Sequence, residues 1–421
     1  MKGEAARSYH QATKHSELSL RQNRHRLDFD NQPLPFKIYS TLEPIPLPHE
    51  LPPLEVPALE AITGAPGIAP DDSAERVPDL ATLSRVLYLS AGITKRKRHP
   101  GGEVYFRAAP NTGALYHVDL YLVCGDLPDL EAGVYHFGPH DSALRRLRTG
   151  DFRSILVEAA GEEPAVSRAP AILVSASTYW RNAWKYQARA YRHCFWDGGT
   201  LHANLLAVAA SERLLPRVVV GFADAPVERL LGLDPEKEGA LTLVALGRAS
   251  TPAPKVEEPS ELHLEMRPLS NTEIEYPAIR EMHVASSLGS GAEAAAWREP
   301  RYAPAQLAAM GDLRSIPLPR GETPTESIES VIRRRGSTRV FDRTASISLA
   351  HLATVLDVSS RDLPTDFLGP GCTSLVGLYL IVHAVEGLPA GSYYYRQEHR
   401  ALEPLREGDF RNVAGRLGLS Q

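Results

Sequence analysis

The feature that most constrains the fold of this chain is an internal repeat. Leu120–Arg153 and Leu378–Arg411 align at a constant offset of 258 residues without a gap, with 15 identities in 34 positions. A weaker match at a similar offset pairs the helix predicted at Leu80–Ala91 with residues 349–359. Such self-similarity means that one structural unit is built twice. We predict two copies of one domain, the second incomplete, because Gln421 aligns with Glu163 and nothing corresponds to residues 164–248.

Two proline-rich segments without hydrophobic periodicity flank the first copy, at residues 32–78 and 250–324. Proline stiffens a chain and is excluded from helix interiors, so we predict ordered arms rather than flexible tethers. In chain order, we predict an N-terminal arm at 1–78, a first domain at 79–249, a linker at 250–324 and an incomplete second domain at 325–421.

Composition excludes several classes of protein. The chain has 46 basic and 51 acidic residues, a formal net charge of −5, and therefore no basic excess for binding nucleic acid. Its three cysteines are far apart and form no CxxC pair, which argues against a disulfide framework or a structural zinc site. No stretch reaches the roughly 18 apolar residues of a membrane span, and the N-terminus lacks the apolar core of a signal peptide. We expect a cytoplasmic protein without nucleic-acid, membrane or metal partners.

Hydrophobic periodicity predicts a mixed α and β class. Helices are predicted at Leu80–Ala91, Thr178–Arg192 and Thr200–Leu214. Strands are predicted at His117–Cys124, Val134–Phe137, Ala171–Ala176, Val218–Val220 and Leu241–Leu246.

The first candidate motif is an Arg-x-Ser-x-Arg array formed by Arg335, Ser337 and Arg339 at the end of a predicted helix. Two guanidinium groups and a hydroxyl suit a terminal phosphate. A solvated basic helix end, which the helix dipole alone favours, is the alternative.

The second candidate is the segment Arg107–Tyr116, which contains Pro110, Asn111, Thr112 and Gly113 in succession. A turn of this composition exposes backbone amides and two small polar side chains, which suits hydrogen bonding to the edge of a flat heterocycle. A simple structural turn explains the same residues.

The third candidate is the predicted helix Thr178–Arg192. Arg181, Lys185, Arg189 and Arg192 follow one another at spacings of four, four and three residues, which puts four cations on one face. These neighbours and partial burial would make Lys185 a base near neutral pH, with Tyr186 as proton donor or relay. The alternative is a solvated charge stripe.

Together these segments resemble the nitroreductase-like flavoprotein superfamily, and within it the SagB-type branch, whose best-known members oxidise azoline rings to thiazoles and oxazoles in peptide natural products. The resemblance covers Leu80–Arg248 and, as a partial second copy, Glu326–Gln421. The motifs that carry it are RRRGSTRVF, RAAPNTGALY, GVYHF, KYQARAYR, GGTLHANLLAVAA, VVVGFAD and LVALG. It implies an α+β fold with a central, mostly antiparallel sheet flanked by helices. It also implies that the tandem chain is an intramolecular pseudo-dimer with FMN bound between the copies.

The resemblance implies roles for individual residues. Arg335, Ser337 and Arg339 match the family's phosphate-binding motif, and Lys185 and Tyr186 match its Lys-Tyr pair, which is associated with proton removal while hydride leaves to the flavin. The other residues implied in cofactor binding, either at the ring or beside a second phosphate contact, are Arg107, Pro110, Asn111, Thr112, Gly113, Gly221, Phe222 and Arg248. Asn111 replaces the usual Ser, and Asp197 stands where Glu is usual.

The two copies differ in what they supply to such a site. The first copy reads ITGAPGIAPDD where the arginine motif is expected, and the second copy has the arginines but lacks the Lys-Tyr helix. At most one complete site can be assembled, and we build it from the second-copy arginines and the first-copy turn.

The resulting expectation is an FMN-dependent dehydrogenase that acts on an azoline-type ring or similar bond of a peptide-derived natural product. One alternative is an NAD(P)H-dependent reductase of nitro or quinone compounds. Another is a non-catalytic scaffold subunit that binds a leader peptide or another biosynthetic enzyme. The expected partners are a peptide or small-molecule substrate, with other biosynthetic enzymes and a second copy of the chain as further candidates.

Overall fold

The computed structural model describes residues 2–64, 74–99, 102–299, 315–338, 340–368 and 375–418. In chain order, the helices α1 to α14 are Lys2–Thr13, Glu17–Gln22, Ala58–Gly64, Leu80–Ala91, Arg153–Ala159, Pro164–Arg168, Tyr179–Tyr186, Ala190–Ser211, Asp224–Leu231, Pro277–Ser286, Gly291–Trp297, Ile328–Arg334, Leu349–Ser359 and Arg411–Leu417. The strands β1 to β13 are Pro44–Pro46, Ile93–His99, Gly102–Arg107, Val118–Cys124, Gly133–Gly138, Ala143–Thr149, Ala171–Thr178, Arg217–Val219, Glu238–Leu246, Ile316–Pro317, Tyr379–Val382, Gly391–Arg396 and Ala401–Glu407.

A seven-stranded antiparallel sheet with the order β1-β6-β5-β4-β7-β9-β8 forms the centre of the first part of the chain. Strands β4, β7 and β9 are buried along their whole length, and successive side chains enter opposite cores. Leu120 and Leu122 pack with α4 and α8 on one face, while Tyr121 and Val123 pack with α5 and α9 on the other. The predicted fold class, an antiparallel sheet between helices, is confirmed.

The second part of the chain repeats these elements in a four-stranded antiparallel sheet with the order β10-β13-β12-β11. Strands β12 and β13 and helix α14 begin and end 258 residues after β5, β6 and α5, which is the offset of the sequence repeat. Helix α13 covers this sheet as α4 covers the first, through a separate core that includes Leu352 and Leu356.

The proline-rich segments contribute an edge strand to each sheet, which the sequence repeat does not reveal. Ile45 of β1 pairs with Leu144 of β6, and Ile316 of β10 pairs with Leu402 of β13, which is the equivalent of Leu144. Both segments read Ile-Pro-Leu-Pro. Proline is tolerated here because an edge strand needs partners on one side only.

The two parts also meet through reciprocal backbone hydrogen bonds. The Ala58 amide donates to the Glu326 carbonyl and the Ile328 amide donates to the Val56 carbonyl, each at 2.9 Å. An offset of 270 relates Val56 to Glu326 and Ala58 to Ile328, so the second hydrogen bond repeats the first with the two parts exchanged, and the contact has the form of a two-fold interface within one chain. It is continued by packing of α3 against α12.

Two predicted helices differ from the observed ones. The predicted Thr178–Arg192 helix is broken at Gln187, whose φ of +52° cannot continue a right-handed helix. The predicted Thr200–Leu214 helix begins earlier, because α8 runs without interruption from Ala190 through Gly198 and Gly199 to Ser211. Among the residues described, no helix has the length and apolar character needed to cross a membrane.

Candidate functional site

The segment from Arg107 to Tyr116 connects β3 to β4 and turns back on itself at Gly113. Gly113 has a φ of +67°, and a β-carbon there would lie 2.9 Å from the Tyr186 hydroxyl oxygen. Glycine is therefore required both by the backbone conformation and by the close approach of Tyr186. The turn and the Lys185-Tyr186 pair, 72 residues apart, lie side by side in the folded chain.

The polar side chains of this turn face inward, contrary to the expectation that they are exposed for a ligand. Asp197 Oδ1 accepts hydrogen bonds from both the backbone amide and the hydroxyl of Thr112, at 2.9 and 2.7 Å. Asn111 Oδ1 accepts from the Tyr116 amide at 2.8 Å. These groups hold the turn in shape, which leaves the Asn111 amide nitrogen as its side-chain donor toward a ligand.

Asp197 belongs to a buried relay that sequence reasoning did not identify. Its second oxygen lies 2.8 Å from His117 Nε2, and His117 Nδ1 lies 2.8 Å from the Ser177 hydroxyl. Burial lowers the pKa of His117, although the hydrogen bond to Asp197 acts in the opposite direction. The imidazole is therefore neutral at neutral pH and fixes the orientation of the carboxylate. The only sequence signal was the position of His117 directly after the turn.

Lys185 and Tyr186 end α7 beside this turn. Lys185 is half-buried, with Nζ 5.4 Å from the centre of the Tyr186 ring. Tyr186 packs edge-on against His193, with ring centres 4.6 Å apart. Burial, followed by the nearby charge of Asp197, raises the pKa of Tyr186, so the phenol keeps its proton at neutral pH and acts as a donor.

The predicted face of four cations does not exist. Arg181 is fully buried and pairs with Asp119 of the central strand β4. Arg189 and Arg192, which follow the break at Gln187, donate to the Thr13 carbonyl and hydroxyl in α1 at 2.6 and 2.9 Å. Lys185 is thus separated from the three arginines, because each of them serves a different structural contact.

The structure brings Arg335 of the second part to the turn of the first. Helix α12 ends at Arg334, and the next residue donates through Nε to the Ala108 carbonyl at 3.3 Å. Burial raises the pKa of Tyr116, while the positive charges of Arg107 and Arg335 oppose this rise from two sides. Ser337 is exposed two residues further on, and the predicted Arg339 lies outside the described residues.

Arg107 supplies a second positive charge beneath the turn. It is 4% exposed, donates to the Pro35 carbonyl at 2.7 Å and lies against the rings of Phe36 and Tyr116. Burial lowers its pKa to about 10, and its Nε has no hydrogen-bond partner within the described part of the chain. A buried donor without a partner is costly, so this position favours a ligand with an acceptor atom.

The cleft beside the turn is narrow, and the described residues that line it do not include Lys185, Tyr186 or Arg335. Its walls include Ala91, Arg107, Asn111, Tyr116 and Asp197, and the cavity between them has a volume of about 10 Å³. The Arg107 and Asn111 donors in this cleft suit the polar edge of FMN, and Arg335, the candidate phosphate contact, lies outside it. The cavity itself is smaller than the flavin ring, so binding requires its walls to separate.

The other predicted flavin contacts lie elsewhere. Phe222 is buried in the core on the α5 and α9 side of the sheet, opposite the face that carries the turn and Tyr186. The Gly221 amide donates to Asp366 of the second part at 2.9 Å, and its carbonyl accepts from Arg298. Arg248 pairs through its backbone with Arg76. The predicted set of cofactor-binding residues is therefore not gathered into one place.

We expect Asp197→Asn to lower the free energy of unfolding by about 1–3 kcal/mol, because the amide has one acceptor oxygen where the buried carboxylate has two and loses the charge that strengthens these hydrogen bonds. Urea denaturation monitored by circular dichroism measures this. The matched control is Asp126→Asn, at an exposed carboxylate that accepts a single backbone hydrogen bond from Ala132. We expect a change within about 0.5 kcal/mol there. Equal losses in the two variants would contradict an anchoring role for Asp197.

The overall architecture matches a known class of fold. The chain superposes on a solved structure from Anabaena variabilis ATCC 29413 with a TM-score of 0.73 and 24% identity, over 99% of this chain and 82% of that one. That protein bears the name putative nitroreductase, as does MJ1384 of Methanocaldococcus jannaschii, which is 27% identical over 169 residues, 40% of this chain and 80% of that protein. No protein-family model matches the chain. The chain therefore has the nitroreductase-like fold.

The chain is also similar to a second curated protein. The trifolitoxin-processing protein TfxB of Rhizobium leguminosarum bv. trifolii is 27% identical over 175 residues, which are 40% of this chain and 47% of TfxB. The match spans about half the length of that relative.

Proposed function

We propose that the chain is an FMN-dependent oxidoreductase whose cofactor binds where the segment after α12 meets the Arg107–Tyr116 turn. The observation that carries the proposal is the 3.3 Å contact between Arg335 Nε and the Ala108 carbonyl, which joins the second part of the chain to the first. Arg335 and Ser337 would hold the phosphate as a guanidinium-hydroxyl pair. Arg107 and Asn111 would donate to the polar edge of the ring.

We further propose that the reaction is the oxidation of an azoline-type ring in a peptide-derived product. Such an oxidation removes a hydride and a proton from the substrate. FMN, when bound, supplies the hydride acceptor. Lys185, in its neutral form, would take the proton, and the protonated Tyr186 beside it would orient the substrate through its hydroxyl. The name of TfxB, a trifolitoxin-processing protein, supports a peptide substrate and a role beside other biosynthetic enzymes.

A second candidate is an NAD(P)H-dependent reductase of nitro or quinone compounds. It is favoured by the names of the two nitroreductase relatives. Anaerobic mixing distinguishes the two functions: bleaching of the bound flavin by NADPH alone supports the reductase, and bleaching by a thiazoline-containing peptide alone supports the dehydrogenase. A chain that binds no flavin supports the third candidate, a scaffold subunit, which the narrow cleft favours.

Arg335→Ala is expected to weaken FMN binding by about 10- to 100-fold, because a charged hydrogen bond to phosphate is worth about 1.5–3 kcal/mol. Titration of flavin fluorescence into the purified full chain measures the affinity. The matched control is Arg334→Ala, an exposed neighbour that pairs with Glu326 at 2.6 Å and leaves the turn untouched. Unchanged binding by Arg335→Ala, or an equal loss in Arg334→Ala, would remove this phosphate site. Failure of the unaltered chain to bind FMN would remove the proposed function.

A further inference from the structure

A second group of chemistry-bearing side chains lies outside the proposed flavin site. Asp224 and Glu228 are one turn apart on α9, and His283 reaches them from α10. One side-chain ligand atom from each of the three residues lies within 4.8 Å of the other two. Carboxylate oxygens and an imidazole nitrogen are the donors that zinc and manganese take from proteins.

Two residues of the group are buried and Asp224 is half-buried, and the group carries more negative than positive charge. Glu228 and His283 are 7% and 6% exposed, and Glu228 Oε1 lies 2.9 Å from His283 Nε2. Within the described residues, the two carboxylates form no ion pair other than this contact between Glu228 and His283. They therefore face at most one positive charge. A divalent cation would compensate both carboxylates.

A buried hydroxyl without a partner points into the same place. Tyr179, at the start of α7, is 5% exposed, and its hydroxyl has no hydrogen-bond partner in the part of the chain that is described. A β-carbon added to Gly239 would be in contact with this hydroxyl and would lie 3.0 Å from His283 Nε2. The hydroxyl therefore lies near the imidazole nitrogen that faces Glu228, where it would be within reach of a cation bound there or of a water on that cation.

Outer contacts hold the proposed ligands in position. The Tyr191 hydroxyl lies 3.3 Å from His283 Nδ1, which leaves Nε2 directed toward the carboxylates. Asp224 Oδ2 accepts from the Leu288 amide at 2.9 Å, which leaves Oδ1 for a ligand. Metal-binding histidines and carboxylates usually have such second partners, which fix their orientation.

We propose that Asp224, Glu228 and His283 form a site for one divalent cation, zinc or manganese, with Tyr179 as a neighbouring oxygen donor. The cation would tie α10, which belongs to the segment predicted as a linker, to α9 directly after the Gly221–Phe222 loop. Through Tyr179, the cation would also connect the start of α7 to these two helices. The other end of α7 carries Lys185 and Tyr186. The role of the cation is therefore structural. The proposal of this cation site is independent of whether the chain binds FMN.

The test uses the full chain with any affinity tag removed, because histidine tags bind zinc. After treatment with a chelator and desalting, the protein is titrated with ZnCl₂ and, separately, MnCl₂, with bound metal counted by mass spectrometry. We expect one tightly bound equivalent of one of these ions and a higher melting temperature with it. Glu228→Gln is expected to lower the affinity at least 10-fold, since it removes a charged ligand and keeps its volume.

The matched control is His351→Gln. His351 forms an exposed ion pair with Glu322 at 2.7 Å, so it tests whether any histidine-carboxylate pair of this chain binds the metal. We expect wild-type affinity in this variant. The proposal is overturned if the unaltered chain retains less than one equivalent of both ions and chelation leaves its melting temperature unchanged. It is also overturned if Glu228→Gln binds as the unaltered chain does. The chelation measurement needs no variant, so it decides the question even if Glu228→Gln does not fold.

Discussion

Replacing Lys185 by alanine is expected to lower kcat for oxidation of a thiazoline-containing peptide by about 10²- to 10⁴-fold while bound FMN is retained. This range is what a positioned general base contributes. FMN is retained because Lys185 ends α7 beside the turn, whereas the proposed phosphate contact comes from Arg335 after α12. Mass spectrometry of the peptide, which records the loss of two hydrogen atoms per ring, measures the rate. Flavin absorbance of the same sample measures occupancy.

Two variants sharpen this result. Arg189→Ala removes a cation four residues away whose guanidinium donates to the Thr13 carbonyl, so it is expected to leave kcat within a few-fold of the original value. Tyr186→Phe keeps the ring that packs on His193 and removes only the hydroxyl, so it is expected to lose part of the activity with a normal fold. Wild-type kcat in Lys185→Ala would exclude Lys185 as the base. Loss of FMN from that variant would indicate a role in cofactor binding instead.

The repeat allowed most of the second sheet to be predicted from the first. Strands β12 and β13 have the bounds that the 258-residue offset requires, because an antiparallel ladder depends on local alternation that both copies retain. The edge strands β1 and β10 were not predicted. They are two or three residues long and proline-containing, and only their pairing with β6 and β13 makes them strands.

The break in the predicted helix at Gln187 has a tertiary origin. Residues 178–192 have a helical pattern, and no glycine or proline marks the break. The positive φ at Gln187 is maintained because Arg189 and Arg192 are drawn toward α1, 176 and 179 residues away. Contacts at such separations leave no local signal in the sequence. The prediction that the four cations share one helix face was therefore wrong.

The candidate site, like the fold, was only partly predictable from the sequence. The turn and the Lys-Tyr pair are recognisable as short motifs, and the meeting of Arg335 with the turn follows from treating the repeat as a pseudo-dimer. The inward orientation of Thr112 depends on Asp197, 85 residues further along the chain, and was therefore not predictable from the turn itself. Whether Arg335 binds a phosphate stays a prediction.

The other large expected effect concerns the ion pair beneath this site. Arg181 and Asp119 are 0% and 3% exposed, and the guanidinium also donates to the Tyr116 carbonyl and the Thr178 hydroxyl, at 2.9 and 2.8 Å. Arg181 thus connects α7 to the end of the turn segment and to β4. Because the pair is enclosed by the core, removal of one partner leaves an uncompensated buried charge.

Asp119→Asn is accordingly expected to lower the free energy of unfolding by about 3–5 kcal/mol, as measured by urea denaturation at neutral pH. Glu131→Gln is the surface control. Its pair with Arg146, at 2.8 Å, is largely exposed, so the loss should stay below about 1 kcal/mol. A double variant, Asp119→Asn with Arg181→Met, removes both charges at similar volume and should recover part of the stability. An Asp119→Asn loss no larger than that of Glu131→Gln would show that the pair is not effectively buried.

The pH dependence of this pair provides a second readout of the same interaction. Burial alone would raise the pKa of Asp119, but the charge of Arg181 and the hydrogen bonds it donates hold it below its usual value. A carboxyl group whose pKa is lower in the folded state stabilises the fold above its unfolded pKa and loses that contribution as the pH falls through the folded value. The unaltered chain should therefore lose stability on acidification below about pH 4 more steeply than Asp119→Asn, which has no carboxylate to protonate there. Parallel stability curves for the two proteins in this range would mean that Asp119 is protonated, or unpaired, in the native state.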